Sequence, residues 1–309
     1  MFSANAVTIG TPGQNWIAKS GPTRTYNNAT YGNGTYLFVA DQGYVASSTD
    51  ANTWTEQLGL RSAGWLVAVY AIVYPSSLGY FVAGGSSGRI ATSPDGVTWT
   101  LRSSLITAVE SLLWDGSTMV SYGDSGLIYT STNGISYTQI GYLSSLVGWA
   151  SGAGPFASDS GAYGNGLFLV AGYGSGTTYC ATSPNGSTWT NRPGINSATS
   201  GAIPLCAAWS PAVNRWFVGC SGGLVVTSSD ASTWSAVSGL TSILAGNSVR
   251  TIKTVGNTVI VFADSGKVAT STDGVNWTNQ PGLSQIGRSA RACAQNGRVL
   301  AVNGFAVSV

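Results

Sequence analysis

Apolar positions in this chain come in short alternating bursts. Runs such as YLFVA (36–40), YFVAG (80–84), TMVSY (118–122), LFLVA (167–171), WFVGC (216–220) and VIVFA (259–263) come first. Each is followed by a second run: YVASS (44–48), RIATS (89–93), LIYTS (127–131), YCATS (179–183), LVVTS (224–228) and KVATS (267–271). Period-2 alternation, β-branched and aromatic residues, and Gly, Asn or Asp at the borders predict strands joined as hairpins. Less regular runs such as SLLW (111–114) and CAAW (206–209) predict one earlier strand per unit. No stretch carries the 3.6-residue period of a useful helix.

The second run leads each time into one phrase. It reads TSPDGVTW (92–99), TSTNGISY (130–137), TSPNGSTW (182–189), TSSDASTW (227–234) and TSTDGVNW (270–277), with SSTDANTW (47–54) a close variant and TPGQNW (11–16) a degenerate one. The closing aromatics are Trp16, Trp54, Trp99, Tyr137, Trp189, Trp234 and Trp277, spaced 38 to 52 residues apart. Units of about 44 residues have the size of four-stranded propeller blades. The expected fold is therefore all-β: a seven-bladed β-propeller of four-stranded antiparallel blades, one domain over residues 1–309. FAVSV (305–309) aligns with KVATS, and TPGQNWIA (11–18) with TDGVNWTN (272–279). The N-terminal strand is thus expected to complete a C-terminal blade spanning about 289–309, which removes an open sheet edge. AVTI (6–9) competes with FAVSV for the third-strand place; three C-terminal strands plus one N-terminal strand is the favoured arrangement.

The repeated phrase resembles the Asp-box, or bacterial neuraminidase repeat, of sialidases and many other propellers. Asp95-Gly96 and Asp273-Gly274 are adjacent, one residue shorter than the usual box. The resemblance implies a propeller; such boxes recur in propellers of unrelated activity, so it implies no particular function. Asp-Gly and Asn-Gly suit tight turns, the carboxylate or amide oxygen can accept nearby backbone N–H groups, and the aromatic is expected to pack between blades. These residues read as structural.

Composition narrows the function. Charged residues make up 8% of the chain, there is no His, and the net charge is +2. That leaves no basic footprint for nucleic acid and excludes Ser-His-Asp and Cys-His chemistry. The sialidase Arg-Ile-Pro element is absent, since Arg89-Ile90 precedes Ala91. No convincing carboxylate pair for glycoside hydrolysis can be placed either. Cys180, Cys206, Cys220 and Cys293 match no zinc spacing and read as buried thiols, with a Cys206–Cys220 disulfide conceivable. No signal peptide or membrane span is evident. Catalytic residues, metal and cofactor are accordingly expected to be none. Asp41, Asp124 and Asp264 read as hairpin-turn residues.

Variation between units falls in the connections between blades. The longest, 139–162, carries Tyr142, Trp149 and Phe156 on a Gly/Ser background. A connection that long is usually functional or disordered. With Arg61, Trp65, Arg250 and Arg291 these aromatics form the candidate binding set. The uncharged, Gly/Ser/Thr/Asn-rich style resembles propellers of bacteriophage virions and tails. It implies a non-catalytic structural protein, with receptor binding as a further role, meeting neighbouring virion subunits or a host glycan or protein. The localisation would be the virion, after synthesis in the host cytoplasm. The alternatives are a secreted or cell-surface lectin-like propeller and, more distantly, a sialidase-like hydrolase.

Overall fold

A computed structural model describes residues 5–9, 16–20, 24, 26–102, 104–123, 125–155, 157, 159–280, 290–295 and 298–303; for 5–9, 16–20, 290–295 and 298–303 it describes the backbone alone. The first strands are β1 (Asn5–Ile9) and β2 (Trp16–Ser20). Blade 1 follows as β3 (Tyr26–Gly32), β4 (Thr35–Ala40), β5 (Val45–Ser48) and β6 (Thr55–Gln57). Blade 2 is β7 (Val69–Val73), β8 (Phe81–Gly85), β9 (Ile90–Ser93) and β10 (Thr100–Leu101). Blade 3 is β11 (Ser111–Trp114), β12 (Met119–Tyr122), β13 (Leu127–Ser131) and β14 (Thr138–Tyr142). Blade 4 is β15 (Gly161–Gly164), β16 (Leu167–Gly174), β17 (Thr177–Ser183) and β18 (Thr190–Asn191). Blade 5 is β19 (Pro204–Ser210), β20 (Arg215–Cys220), β21 (Val225–Ser228) and β22 (Ser235–Ala236). Blade 6 is β23 (Val249–Val255), β24 (Thr258–Ala263), β25 (Lys267–Ser271) and β26 (Thr278–Asn279). The last strands are β27 (Ala290–Gln295) and β28 (Arg298–Asn303).

All blades are antiparallel meanders, and the first strand of each packs against the first strand of the next. Six blades stand complete in chain order, one fewer than the seven expected. The place of the seventh is taken by a composite sheet ordered β2-β1-β28-β27, whose β27 packs against both β23 and β3. Its make-up corrects the expected three-plus-one closure: each end of the chain contributes two strands. AVTI, within β1, pairs with β28 through Ala6↔Val302 and Thr8↔Leu300 and with β2 through Ala6↔Lys19 to Ile9↔Trp16. The reason is local: β1 and β2 form their own short-range hairpin, and a short loop is entropically cheaper to close than a pairing between chain ends. FAVSV lies outside the described residues.

The core lies between blades. One buried cluster joins Leu37, Val39 and Leu60 of blade 1 and its connection to Val69, Phe81 and Trp99 of blade 2, and matching clusters join blades 2–3, 3–4, 4–5 and 5–6. The repeated turn builds this seam. Gly96, at φ +76°, lies against Leu37 of the preceding blade, where a Cβ would come within 2.7 Å of its side chain. Trp99, Trp189 and Trp234 fill the grooves and donate Nε1–H to the carbonyl three residues back, at 3.1, 2.8 and 3.1 Å. Trp54 stacks on Phe38 and Trp277 meets Phe217 edge-on, while the Tyr137 hydroxyl lies 3.1 Å from the Met119 sulfur. Trp16 opens β2; its side chain is outside the described residues.

Cys180, Cys206 and Cys220 are free, buried thiols. Pairing sets Cys220 opposite Pro204 and Cys206 opposite Gly219, so the two cysteines are offset along the hairpin. Burial pushes the Cys220 thiol up to about 12 and the other two further in the same direction.

Candidate functional site at the axial end of the blades

Antiparallel order divides the molecule into two ends. The repeated Asp/Asn turns join third strands to fourth at one end. The second-to-third-strand turns and the connections between blades share the other, here called the connector end. The connections are not bare loops: they carry α1 (Gly59–Ser62), α2 (Leu143–Val147), α3 (Gly194–Thr199) and α4 (Thr241–Leu244), each of four to six residues.

At the connector end the inner strands bulge. The register shifts between Tyr26 and Asn28, Val69 and Ala71, Pro204 and Cys206, and Val249 and Thr251. A bulge leaves one extra residue and re-aims its side chain. The extra residues are Asn27, Tyr70, Leu205 and Arg250; Glu110 and Asp159 hold the matching place ahead of β11 and β15. All six are half-buried. Three of them bond the first residue of their own second-to-third-strand turn. The Asn27 amide donates to Asp41 Oδ1 at 2.8 Å, Ser86 Oγ donates to Tyr70 Oη at 2.8 Å, and Arg250 clasps Asp264 with Nε and Nη2 at 2.9 and 2.8 Å. Lys253 Nζ reaches Asp159 Oδ2 at 4.0 Å, from blade 6 to blade 4. One backbone position is thus held in fixed geometry around the axis while its chemistry changes from amide to phenol, carboxylate, alkyl and guanidinium. A position with a structural duty alone would repeat its residue, as the Asp/Asn turns do.

Two exposed apolar side chains border this ring. Leu66 is 58% exposed and Ile106 73%. They flank the blade 2 turn at 86–88, which is bonded on one side to Ala68 (Ser86 N–H to its carbonyl, 3.0 Å) and on the other to Leu105 (N–H to the Gly88 carbonyl, 2.8 Å). Tyr70 holds the same turn through its bond with Ser86.

The described members of the expected binding set do not form one surface. Trp65 is fully buried, donating Nε1–H to the Val67 carbonyl. Trp149 is 3% exposed and stacks on Tyr179 at 5.2 Å. Both fill space beneath glycines, Gly85 and Gly172 respectively, where a Cβ would lie 2.9 and 2.5 Å from the indole. Tyr142 is exposed, at 38%, and Phe156 lies outside the described residues. Arg61 lies over the Tyr44 ring and reaches the Gln42 carbonyl at 3.2 Å; Arg24 covers the same ring at 3.3 Å and pairs with Glu56. Arg250 belongs to the axial ring. Arg291 stands in β27, and its side chain is outside the described residues. Asn27, Tyr70 and Leu205 escaped the sequence reading because a bulge breaks the alternation that marks a strand, and because they fall 21 to 23 residues before the third-strand Ser with no common motif.

Among the described residues no three or more His, Cys, Asp or Glu side chains are grouped to hold a metal ion, and no helix is long and apolar enough to cross a membrane.

Strand order, blade size and closure make this a β-propeller. No protein-family model matches the chain, and no curated protein sequence does. Solved structures match over nearly its full length. YCF48 bound to D1 peptide is 15% identical with a TM-score of 0.63, covering 97% of this chain and 95% of that one. YCF48 from Cyanidioschyzon merolae is 13% identical with a TM-score of 0.67, covering 96% and 98%. The WD40 β-propeller domain of Doa1 is 13% identical with a TM-score of 0.63, covering 99% of each. At such identities the likeness is one of fold.

Proposed function

We propose that the protein is a non-catalytic docking platform that receives an extended segment of a partner protein at the connector end. The observation that carries this is the pairing of Leu66 and Ile106, both strongly exposed, with the half-buried ring of polar and charged side chains beside them. Apolar knobs supply contact area, and fixed hydrogen-bonding groups supply register along a peptide. That one solved propeller of similar fold is described as bound to a peptide supports the choice of partner class. In this reading the composite sheet acts as a seventh blade, and the Asp-box likeness of the turns concerns architecture alone. A virion is the setting that the scarcity of charge suggests, with a neighbouring subunit or a host protein as the source of the segment. Mass spectrometry of purified particles checks that setting separately.

The test is selection of displayed random peptides on the intact protein, followed by binding to the Leu66→Ser/Ile106→Ser double variant. Selected peptides should carry apolar anchors and lose at least about tenfold in affinity to the variant, as removal of two anchors at roughly 1 kcal/mol or more each implies. Failure to select any peptide, or equal binding to the variant, would overturn the reading.

A further inference from the structure

A second site lies on the outer rim. In four blades a long polar side chain lies along the blade and bonds a third-strand hydroxyl. Gln57 donates to Ser47, Arg102 to Thr92, Arg192 to Thr182 and Gln280 to Thr270, at 2.8 to 2.9 Å, always from ten residues further on. Arg192 also spans the groove to the next blade, since its Nη1 reaches Ser232 there at 2.8 Å. The corresponding residues are Val237 in blade 5 and Ile140 in blade 3, and the groove that follows each of those blades is open. Blade 5 turns its hydroxyl inward, Thr227 donating to the Trp216 carbonyl at 2.9 Å.

Blade 3 differs again. The β13–β14 register slips after Ile128, and Ile140 packs against the core shared with blade 4 instead of over the groove. Thr130 is left half-exposed, whereas its counterparts Ser47, Thr92, Thr182, Thr227 and Thr270 are 1–9% exposed. Opposite it stands Ser187, the counterpart of the Ser232 that Arg192 grips in the next groove. The open groove measures about 360 Å³, and every residue lining it is Ser, Thr or Asn. Thr118, Thr130, Thr132 and Thr138 form one wall, with Asn185 and Ser187 facing them.

We infer that the blade 3–4 groove is a binding site for a neutral pyranose, free or as the terminal unit of a glycan. Its volume is at the lower end of small-ligand sites. A charged ligand would enter without a counter-ion among the lining residues, and an apolar one would leave the hydroxyls unpaired. A polyhydroxylated neutral ring can exchange hydrogen bonds with both walls. This inference is independent of the connector-end reading.

The test uses the full chain, an array of charged glycans and of neutral glycans ending in glucose, galactose, mannose or N-acetylglucosamine, and saturation-transfer NMR with the free monosaccharides. Binding to the array alone assigns the site to a glycan, and binding in both to the sugar unit itself. Thr138→Arg, at an exposed strand position, should plug the groove as Arg192 does and abolish the signal with the melting temperature unchanged. Thr130→Val should weaken binding roughly tenfold, the loss of one well-placed hydrogen bond, and it decides the matter if Thr138→Arg does not fold. The inference is overturned if no neutral saccharide binds up to about 10 mM, if only charged glycans bind, or if binding persists in folded Thr138→Arg.

Discussion

One side-chain oxygen shapes each repeated turn. Oδ1 of Asp50, Asp95, Asn133, Asn185, Asp230 and Asp273 accepts the backbone N–H groups two and three residues ahead, at 2.7 to 2.9 Å. For the acids this holds the charged form. The Thr53 and Asn52 N–H groups lower Asp50 to about 2, and those of Thr233 and Ser232 lower Asp230 to about 2. Val275 N–H and the Asn276 side chain lower Asp273 further. Asp95 gives up some hydration, which opposes its charge, yet the Thr98 and Val97 N–H groups still bring it below the usual range. A depressed folded-state value means stability that is complete above the unfolded value of about 3.9 and is lost as pH falls toward the folded value. Melting temperature should therefore drop between about pH 4 and pH 2. The Asp50→Asn/Asp230→Asn/Asp273→Asn variant, which copies the chemistry of Asn133 and Asn185, should lose less over that window. Equal loss in calorimetric scans of both proteins would remove the turns as the cause. The closing Trp is tested directly: Trp99→Ala should cost about 3–5 kcal/mol in denaturant unfolding, the usual result of emptying a buried aromatic site. These residues were legible in the sequence because one chemical solution recurs at fixed spacing. The arginines were not. Arg102 and Arg192 belong to no motif, and only the structure shows each guanidinium laid on a threonine ten residues earlier.

At the scale of elements, connections hid more than strands. The short alternating runs marked the strands of blades 1–6, and the absence of long helices was equally plain. The segment 139–162 read as an open loop because nothing periodic runs through it. In the fold it extends β14, adds α2 and buries Trp149 over Gly172. A glycine in the adjacent strand makes that docking possible, and such a pairing across sequence has no local signature. Gly172→Ala should show it. The added Cβ would lie 2.5 Å from the Trp149 ring and 2.9 Å from the Gly154 backbone, so the indole must move. Overpacking of this kind costs about 1–3 kcal/mol, and here the cost should fall on the connection. Hydrogen exchange across 143–155 should accelerate several-fold while β16 and β17 keep their protection. Uniform acceleration through blade 4 would mean instead that the connection and the sheet open as one unit. The inner-strand bulges were invisible for a related reason: a bulge is a departure from alternation, and only pairing with a neighbour reveals which residue is extra.

For the molecule as a whole, closure is the mechanical requirement. Six blades share cores pairwise along the chain, but a ring with a gap would leave two unpaired blade faces. The composite sheet fills that gap with β27 packed on both flanking blades, and β1 supplies the pairing that β28 would otherwise lack. The sequence showed that the ends complete each other, but it favoured FAVSV for the third-strand place; AVTI carries the same alternation, and the pairing with β28 is made by β1. Removing residues 1–20 tests the result. Without β1 and β2, β28 presents a bare edge of unpaired N–H and C=O groups, the usual template for association. The shortened protein should melt on the order of 10 °C lower, corresponding to several kcal/mol, and should form concentration-dependent oligomers in light scattering. A synthetic peptide of residues 1–20 added in trans should restore the monomer and the melting temperature by strand addition. Oligomers that appear only when residues 305–309 are removed as well would return the third-strand place to FAVSV. An unchanged melting temperature with a monomeric shortened protein would mean that six blades hold the ring without the closure.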